Sequence, residues 1–202
     1  MQKMIVFSLD GTLADCEHRR HFVDPTKDPN AMQDIYSSYA DGRFWDLKAY
    51  EESHTAQEWK PDWKAFYEAC DQDKPIEAVI SIWNDQISLG AMGKHQIWSG
   101  RCASVREKTE KWLHEHLLCF ESHQLKMRLI GDNTPDDQLK ERWWREYYDS
   151  LYPKLDKDSI EGTEYHRKEK IEFVFTSNPK EIAMWRKYGI FVFNCAQHDG
   201  EV

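Results

Sequence analysis

The segment Met4-Ile5-Val6-Phe7-Ser8-Leu9 is apolar except for Ser8 and runs directly into Asp10-Gly11-Thr12. A short apolar run bounded by a turn signal suits a central parallel strand buried on both faces. It is far below the roughly 20 apolar residues that span a bilayer. Because it leads straight into a polar turn, it reads as a strand rather than a signal peptide. Such a strand needs strands on both sides and helices above and below.

The remaining pattern supplies them. Asp62 precedes an aromatic helical stretch carrying Trp63, Phe66 and Tyr67, which Lys74-Pro75 ends. Residues 76–88 place Val79, Ile80, Trp83 and Ile87 at helical spacing. Residues 95–98 read as a strand with Ser99-Gly100-Arg101 as the loop after it, and 105–116 as a helix. Residues 124–130 are a strand. Residues 135–152 are an amphipathic helix with Trp143, Trp144, Tyr147 and Tyr148, expected to pack on the insertion described next. Residues 171–175 form a strand, 179–188 a helix ended by Gly189, and 190–193 a last strand. Strands alternating with helices predict an α/β fold, a mostly parallel sheet flanked by helices. Ligands of such folds sit beyond the carboxyl ends of the strands. The loops to search therefore start at 8–12, 99–101, 131–140 and 176–178.

The 202 residues fit a single domain, 1–202. Residues 24–60 interrupt the pattern with polar residues, prolines and aromatics, and read as a helical, cap-like insertion with helices near 31–39 and 47–59. Residues 156–170 are highly charged and read as a flexible loop.

The formal net charge of -9 disfavours an extended nucleic-acid groove and leaves room for a local basic pocket. The five cysteines are widely spaced, without a zinc-ligand pattern, as in a reduced cytoplasmic protein. The histidines are scattered, and His114 and His116 would splay on a helix.

Four of the loops carry a resemblance. Ile5-Val6-Phe7-Ser8-Leu9-Asp10-Gly11-Thr12 resembles the first motif of haloacid-dehalogenase-type (HAD) phosphatases, an apolar strand ending in Asp-x-Asp-Gly-Thr. Trp98-Ser99-Gly100-Arg101 resembles their second motif, in the form found in the phosphatase half of polynucleotide kinase-phosphatases. Met127-Arg128-Leu129-Ile130-Gly131-Asp132 with Asp136-Asp137-Gln138-Leu139-Lys140 resembles that branch's third motif, and Met184-Trp185-Arg186-Lys187-Tyr188-Gly189-Ile190 the helix after its fourth. The resemblance implies a Rossmann-like HAD fold. No phosphate-binding loop of the Gly-x-x-x-x-Gly-Lys-Ser/Thr kind is present, so a kinase half is not expected.

In such phosphatases an Asp carboxylate attacks phosphorus, and a second Asp two residues on protonates the leaving oxygen. Magnesium sits among the first Asp and acidic residues of the fourth motif. Here the nucleophile position is Ser8, and the fourth motif reads Val174-Phe175-Thr176-Ser177-Asn178. Asp10 remains as a vestigial acid/base and a weak metal candidate. No metal is expected at Ser8, Thr176 and Ser177, and no cofactor; Mg2+ belongs to the alternative of an active phosphatase. The resemblance assigns phosphate or ligand binding to Thr12, Ser99, Gly100, Arg101, Arg128, Asp136 and Lys140. Asp132, Asp136 and Asp137 also suit a helix N-terminus.

The expectation is a catalytically disabled, polynucleotide 3′-phosphatase-like protein, or pseudoenzyme, that binds a nucleotide or a phosphorylated nucleic-acid end. One alternative is an active Mg-dependent phosphatase. Another is a protein-interaction module, possible in a bacteriophage setting, using aromatic surfaces at 24–60 and 143–148. No membrane association is expected.

Overall fold

A computed structural model describes residues 3–27, 60–90, 94–151 and 171–196. The predicted helices near 31–39 and 47–59 and the loop 156–170 lie outside these residues. The chain divides into two compact units, one of residues 1–15 and 73–202, the other of residues 16–72.

The larger unit is built on five parallel strands: β1 (Met4–Phe7), β4 (His95–Cys102), β5 (Leu125–Arg128), β6 (Ile171–Thr176) and β7 (Phe191–Asn194). Their order is β5-β4-β1-β6-β7, so the first apolar run is the central strand. Phe7 lies in register with Ile97 on one side and Phe175 on the other. Two short strands, β2 (Ala14–Asp15) and β3 (Lys74–Pro75), form a separate antiparallel pair. The helices are α2 (Glu77–Ser88), α3 (Arg106–His116), α4 (Asp136–Leu151) and α5 (Pro179–Lys187). The result is the Rossmann-like α/β arrangement expected from the alternation.

Period-two alternation sends Met4, Val6, Trp98, Val174 and Val192 to one face of the sheet. There they pack with Leu139, Trp143 and Trp144 of α4 and Ile182, Met184 and Trp185 of α5. Trp143 and Trp144 are thus core residues facing the sheet, which corrects the expected aromatic surface at these two positions, while Tyr147 stays 38% exposed. The insertion they were expected to pack on lies outside the described residues, apart from its ends. Their spacing explains it: Leu139, Trp143 and Trp144 lie on one helical stripe with Lys140 beside them. On the other face Phe7 stacks on Phe175, centroids 4.6 Å apart, and meets the edge of Trp83 from α2.

A second correction concerns β4. Strand pairing runs through Ser99-Gly100-Arg101 instead of ending at Trp98. The register shifts between Ser99 and Cys102, a bulge that re-aims the side chains between them.

In the smaller unit, α1 (Trp63–Glu68) is capped by Asp62, whose carboxylate accepts from the Ala65 amide at 2.9 Å. Arg19 lies buried there, donating to the Phe66 carbonyl at 3.1 Å with its guanidinium over the Phe66 ring.

Candidate functional site

The carboxyl ends of β1, β4, β5 and β6 gather three groups of polar side chains, all in the larger unit. The deepest forms where β1 and β6 end side by side. The Ser8 amide extends the ladder by donating to the Phe175 carbonyl at 2.9 Å. Its side chain meets Lys140 from α4 and Glu181 from the first turn of α5. Lys140 Nζ donates to Ser8 Oγ at 2.7 Å and to Glu181 Oε1 at 2.6 Å. Ser8 Oγ in turn donates to Glu181 Oε2 at 2.8 Å, and Thr176 Oγ1 donates to the same oxygen at 2.7 Å. All four side chains are buried.

Local sequence sets this arrangement. Asn178 caps α5, its side chain accepting from the amides of Lys180 and Glu181, with Pro179 at the first helical position. The cap fixes Glu181 in the opening turn, directly beyond β6. Glu181 shares an inward stripe with Met184, Trp185 and Tyr188, so its carboxylate must enter the interior.

The second group centres on Arg101, which the bulge in β4 turns inward. Its Nε donates to Asp10 Oδ1 at 2.7 Å, and its Nη2 pairs with both Asp10 and Asp73. Arg101 and Asp73 have no exposed side-chain surface, whereas Asp10 keeps 27% of its own. Asp73 is held in turn from its backbone, because Trp112 Nε1 donates to its carbonyl at 2.7 Å. Ser99 Oγ accepts from the Arg101 amide at 3.1 Å. Gly11 adopts a φ of 71°, a left-handed conformation that favours glycine, and a Cβ there would run into Ser177 Oγ. Next to it, Thr12 Oγ1 is buried with no hydrogen-bond partner among the described residues.

The third group ties β5 to α4. Arg128 Nε donates to the Gly100 carbonyl at 2.8 Å, its Nη1 donates to the Asp132 carbonyl at 3.1 Å, and its Nη2 pairs with Asp136. A Cβ on Gly100 would lie 2.5 Å from Asp136 Oδ1, so only glycine lets this carboxylate settle on the strand. Partial burial raises the Asp136 carboxyl above its ordinary range, against the pull of Lys140 and Arg128. Asp132 is shifted the other way, held far below the carboxylate range by hydrogen bonds from Thr134 and by Arg142.

The residues singled out in the sequence fall into three hydrogen-bonded groups, and the charge of Asp136 in the third is felt by Lys140 and Glu181 of the first. Ser8, Thr176 and Lys140 share one group, Asp10 and Arg101 a second, Gly100, Arg128 and Asp136 a third. Sequence reasoning missed Glu181 and Asp73. The signal for Glu181 was a charged residue on the apolar stripe of the last helix. For Asp73, beside the Lys74-Pro75 break, no local pattern pointed inward.

The donor set does not fit magnesium. Hard divalent cations bind carboxylate and carbonyl oxygens. The tips of β1 and β6 offer the hydroxyls of Ser8 and Thr176 beside the Glu181 carboxylate, whose oxygens are already taken by these hydroxyls and by the Lys140 ammonium. Among the described residues no group of three or more His, Cys, Asp or Glu side chains is placed to hold a metal, and no helix is long and apolar enough to cross a membrane.

No family model and no curated protein matches the chain. Among solved structures it is similar, at 18% identity and TM-scores of 0.48 and 0.49, to chains from structures described as "Structure of the Pnkp1/Rnl/Hen1 RNA repair complex" and "Structure of Pnkp1/Rnl/Hen1 complex". The match covers 95% of this chain but 42% and 45% of those chains, so the protein spans less than half the length of either.

Proposed function

We propose that this protein is a catalytically disabled phosphatase-type domain that acts by binding a nucleotide or a phosphorylated nucleic-acid end. The observation that carries the reading is the setting of Ser8. Its hydroxyl stands where the resembling motif places an attacking carboxylate, and it is enclosed between Lys140 at 2.7 Å and Glu181 at 2.8 Å. Attack on phosphorus needs a nucleophile that the phosphorus atom can approach in line, within about 3–3.5 Å. With Glu181 in place the hydroxyl is buried out of reach of phosphorus, and a phosphate that displaced Glu181 would take away the carboxylate that accepts the Ser8 proton. Asp10, the remaining acid of the motif, is engaged with Arg101.

What supports binding is the supply of cations at the strand ends. Arg101 and Arg128 lie at the ends of β4 and β5, the usual ligand edge of such a sheet, and Lys140 reaches the end of β1 from α4. Each now holds a carboxylate: Glu181 on Lys140, Asp10 and Asp73 on Arg101, Asp136 on Arg128. Carboxylate and phosphate oxygens suit the same charge-assisted donors. A phosphate would therefore enter by exchange with an internal carboxylate, and binding would weaken as that internal pairing strengthens.

The test is a thermal-shift panel of nucleotides and of 3′- or 5′-phosphorylated oligonucleotides, each beside its unphosphorylated counterpart. A ligand present at 100 times its dissociation constant stabilises by about 2.7 kcal/mol. Stabilisation that requires the phosphate is the expected result. Equal responses with and without the phosphate would remove the reading.

One observation favours a protein partner instead. Leu129 and Ile130, directly after Arg128, are 71% and 74% exposed. Capture of a partner that Leu129→Ser and Ile130→Ser abolish, with no phosphate-dependent shift, would favour that reading.

A further inference from the structure

We propose that Ser8, Lys140 and Thr176 form an oxyanion cage that the chain fills with its own Glu181 carboxylate, so that an incoming phosphate group competes with Glu181 for the same three donors. The inference rests on the binding reading above and names the contact that holds the site shut.

Three donors from three separate elements converge on one carboxylate. Oε1 accepts from Lys140 at 2.6 Å, and Oε2 accepts from Ser8 at 2.8 Å and Thr176 at 2.7 Å. The Lys140 and Thr176 bonds are as short as charge-assisted hydrogen bonds to an anion, and the Ser8 bond has the length of an ordinary hydroxyl hydrogen bond. Without Glu181, the cage is one ammonium and two hydroxyls, a net positive site buried within the protein. A buried ion pair gives little net stability compared with apolar side chains of the same volume. The two hydroxyls and the ammonium satisfy the oxygens of Glu181 as a buried anion requires, and the same three donors suit the oxygens of a phosphate. Glu181 reaches the cage on two methylenes from the first turn of α5, so a phosphate that takes its place has to displace a flexible side chain and not a strand or a helix. The backbone is separately fixed by the Asn178 cap.

Glu181→Ala removes the resident carboxylate and leaves the donors in place. Thermal unfolding is followed against inorganic phosphate, against formate, and against chloride at matched ionic strength, for the wild type and the variant. The expected result is half-saturation by phosphate at a concentration at least tenfold lower in Glu181→Ala than in the wild type. That gain should be lost when Ser8→Ala and Thr176→Val are added. Glu181→Gln, which keeps the shape and removes the charge, is read in the same way where Glu181→Ala does not fold. Folding of either variant only in phosphate supports the cage; failure of both to fold even in phosphate overturns it. So do equal responses of wild type and variant, a response to formate but not to phosphate, or a gain that survives loss of both hydroxyls. Phosphate-dependent nucleotide binding by the wild type, with no gain in either Glu181 variant, would sink the cage and leave the binding reading standing. A gain in the variants with no phosphorylated ligand for the wild type would do the reverse.

Discussion

Lys140 and Glu181 face each other across 2.6 Å with 3% and 2% of their side-chain surfaces exposed. Charges this deep lose their hydration, and each depends on the other to offset that loss. Removing one partner strands the other. Lys140→Met should therefore cost about 3–5 kcal/mol in urea unfolding. The double variant Lys140→Met/Glu181→Leu should recover much of that loss, since no bare charge is left. A double variant as unstable as the single one would mean that the pair is not the unit of stability.

Arg101 offers a parallel case with two acceptors. It is fully buried, and Asp73 beside it has no exposed side-chain surface. Arg101→Lys keeps the charge but gives up the planar fork that serves Asp10 and Asp73 together. A loss of about 2–4 kcal/mol is expected by denaturant unfolding. A change below about 0.5 kcal/mol, the usual range for surface sites, would show that the fork is dispensable.

Gly100 is chosen by space. Asp136 Oδ1 lies 2.5 Å from where a Cβ would stand, and Arg128 holds that carboxylate. Gly100→Ala should break the Arg128–Asp136 pair and cost about 1–3 kcal/mol. Adding Asp136→Ala should relieve the clash, so that the double variant is no less stable than Gly100→Ala alone. Strict additivity of the two losses would contradict the contact.

His95 gives the fold a pH dependence. It opens β4, is buried against Phe7 and Trp83, and Nε2 lies 2.7 Å from Gln86 Oε1. Burial, aided by Lys94, pushes the imidazole down from 6.5 to about 4. Between those values the unfolded chain takes up a proton that the folded chain refuses. The stabilising contribution is thus complete above pH 6.5 and drains as the pH falls towards 4, by up to about 3 kcal/mol. His95→Gln should flatten the stability profile across this window. An unchanged profile would place the acid sensitivity elsewhere.

Much of the fold was legible because its signals are local. The apolar run around Phe7 had to be a central strand, and the stripes on α2, α3 and α5 follow from helical spacing. Asp62 announced the helix it caps. Strand limits were less legible: Ser99-Gly100-Arg101 resembled a loop, yet a bulge keeps it within β4. The role of Trp143 and Trp144 was misread because an aromatic row reads alike as surface or core until its partners, Trp98 and Trp185, are placed. At the site, the hydroxyls of Ser8 and Thr176 at the strand ends could be read directly. The buried carboxylates of the site could not. Glu181 is 173 residues from Ser8 and Asp73 is 28 from Arg101, and only the folded topology brings them together.

The most direct measurement is release of inorganic phosphate from a 3′-phosphorylated oligonucleotide by the purified protein with Mg2+, beside its Ser8→Ala variant. With the Ser8 hydroxyl sealed between an ammonium and a carboxylate, both proteins should match the protein-free background. Release by the unmodified protein that the Ser8→Ala variant lacks would contradict the account.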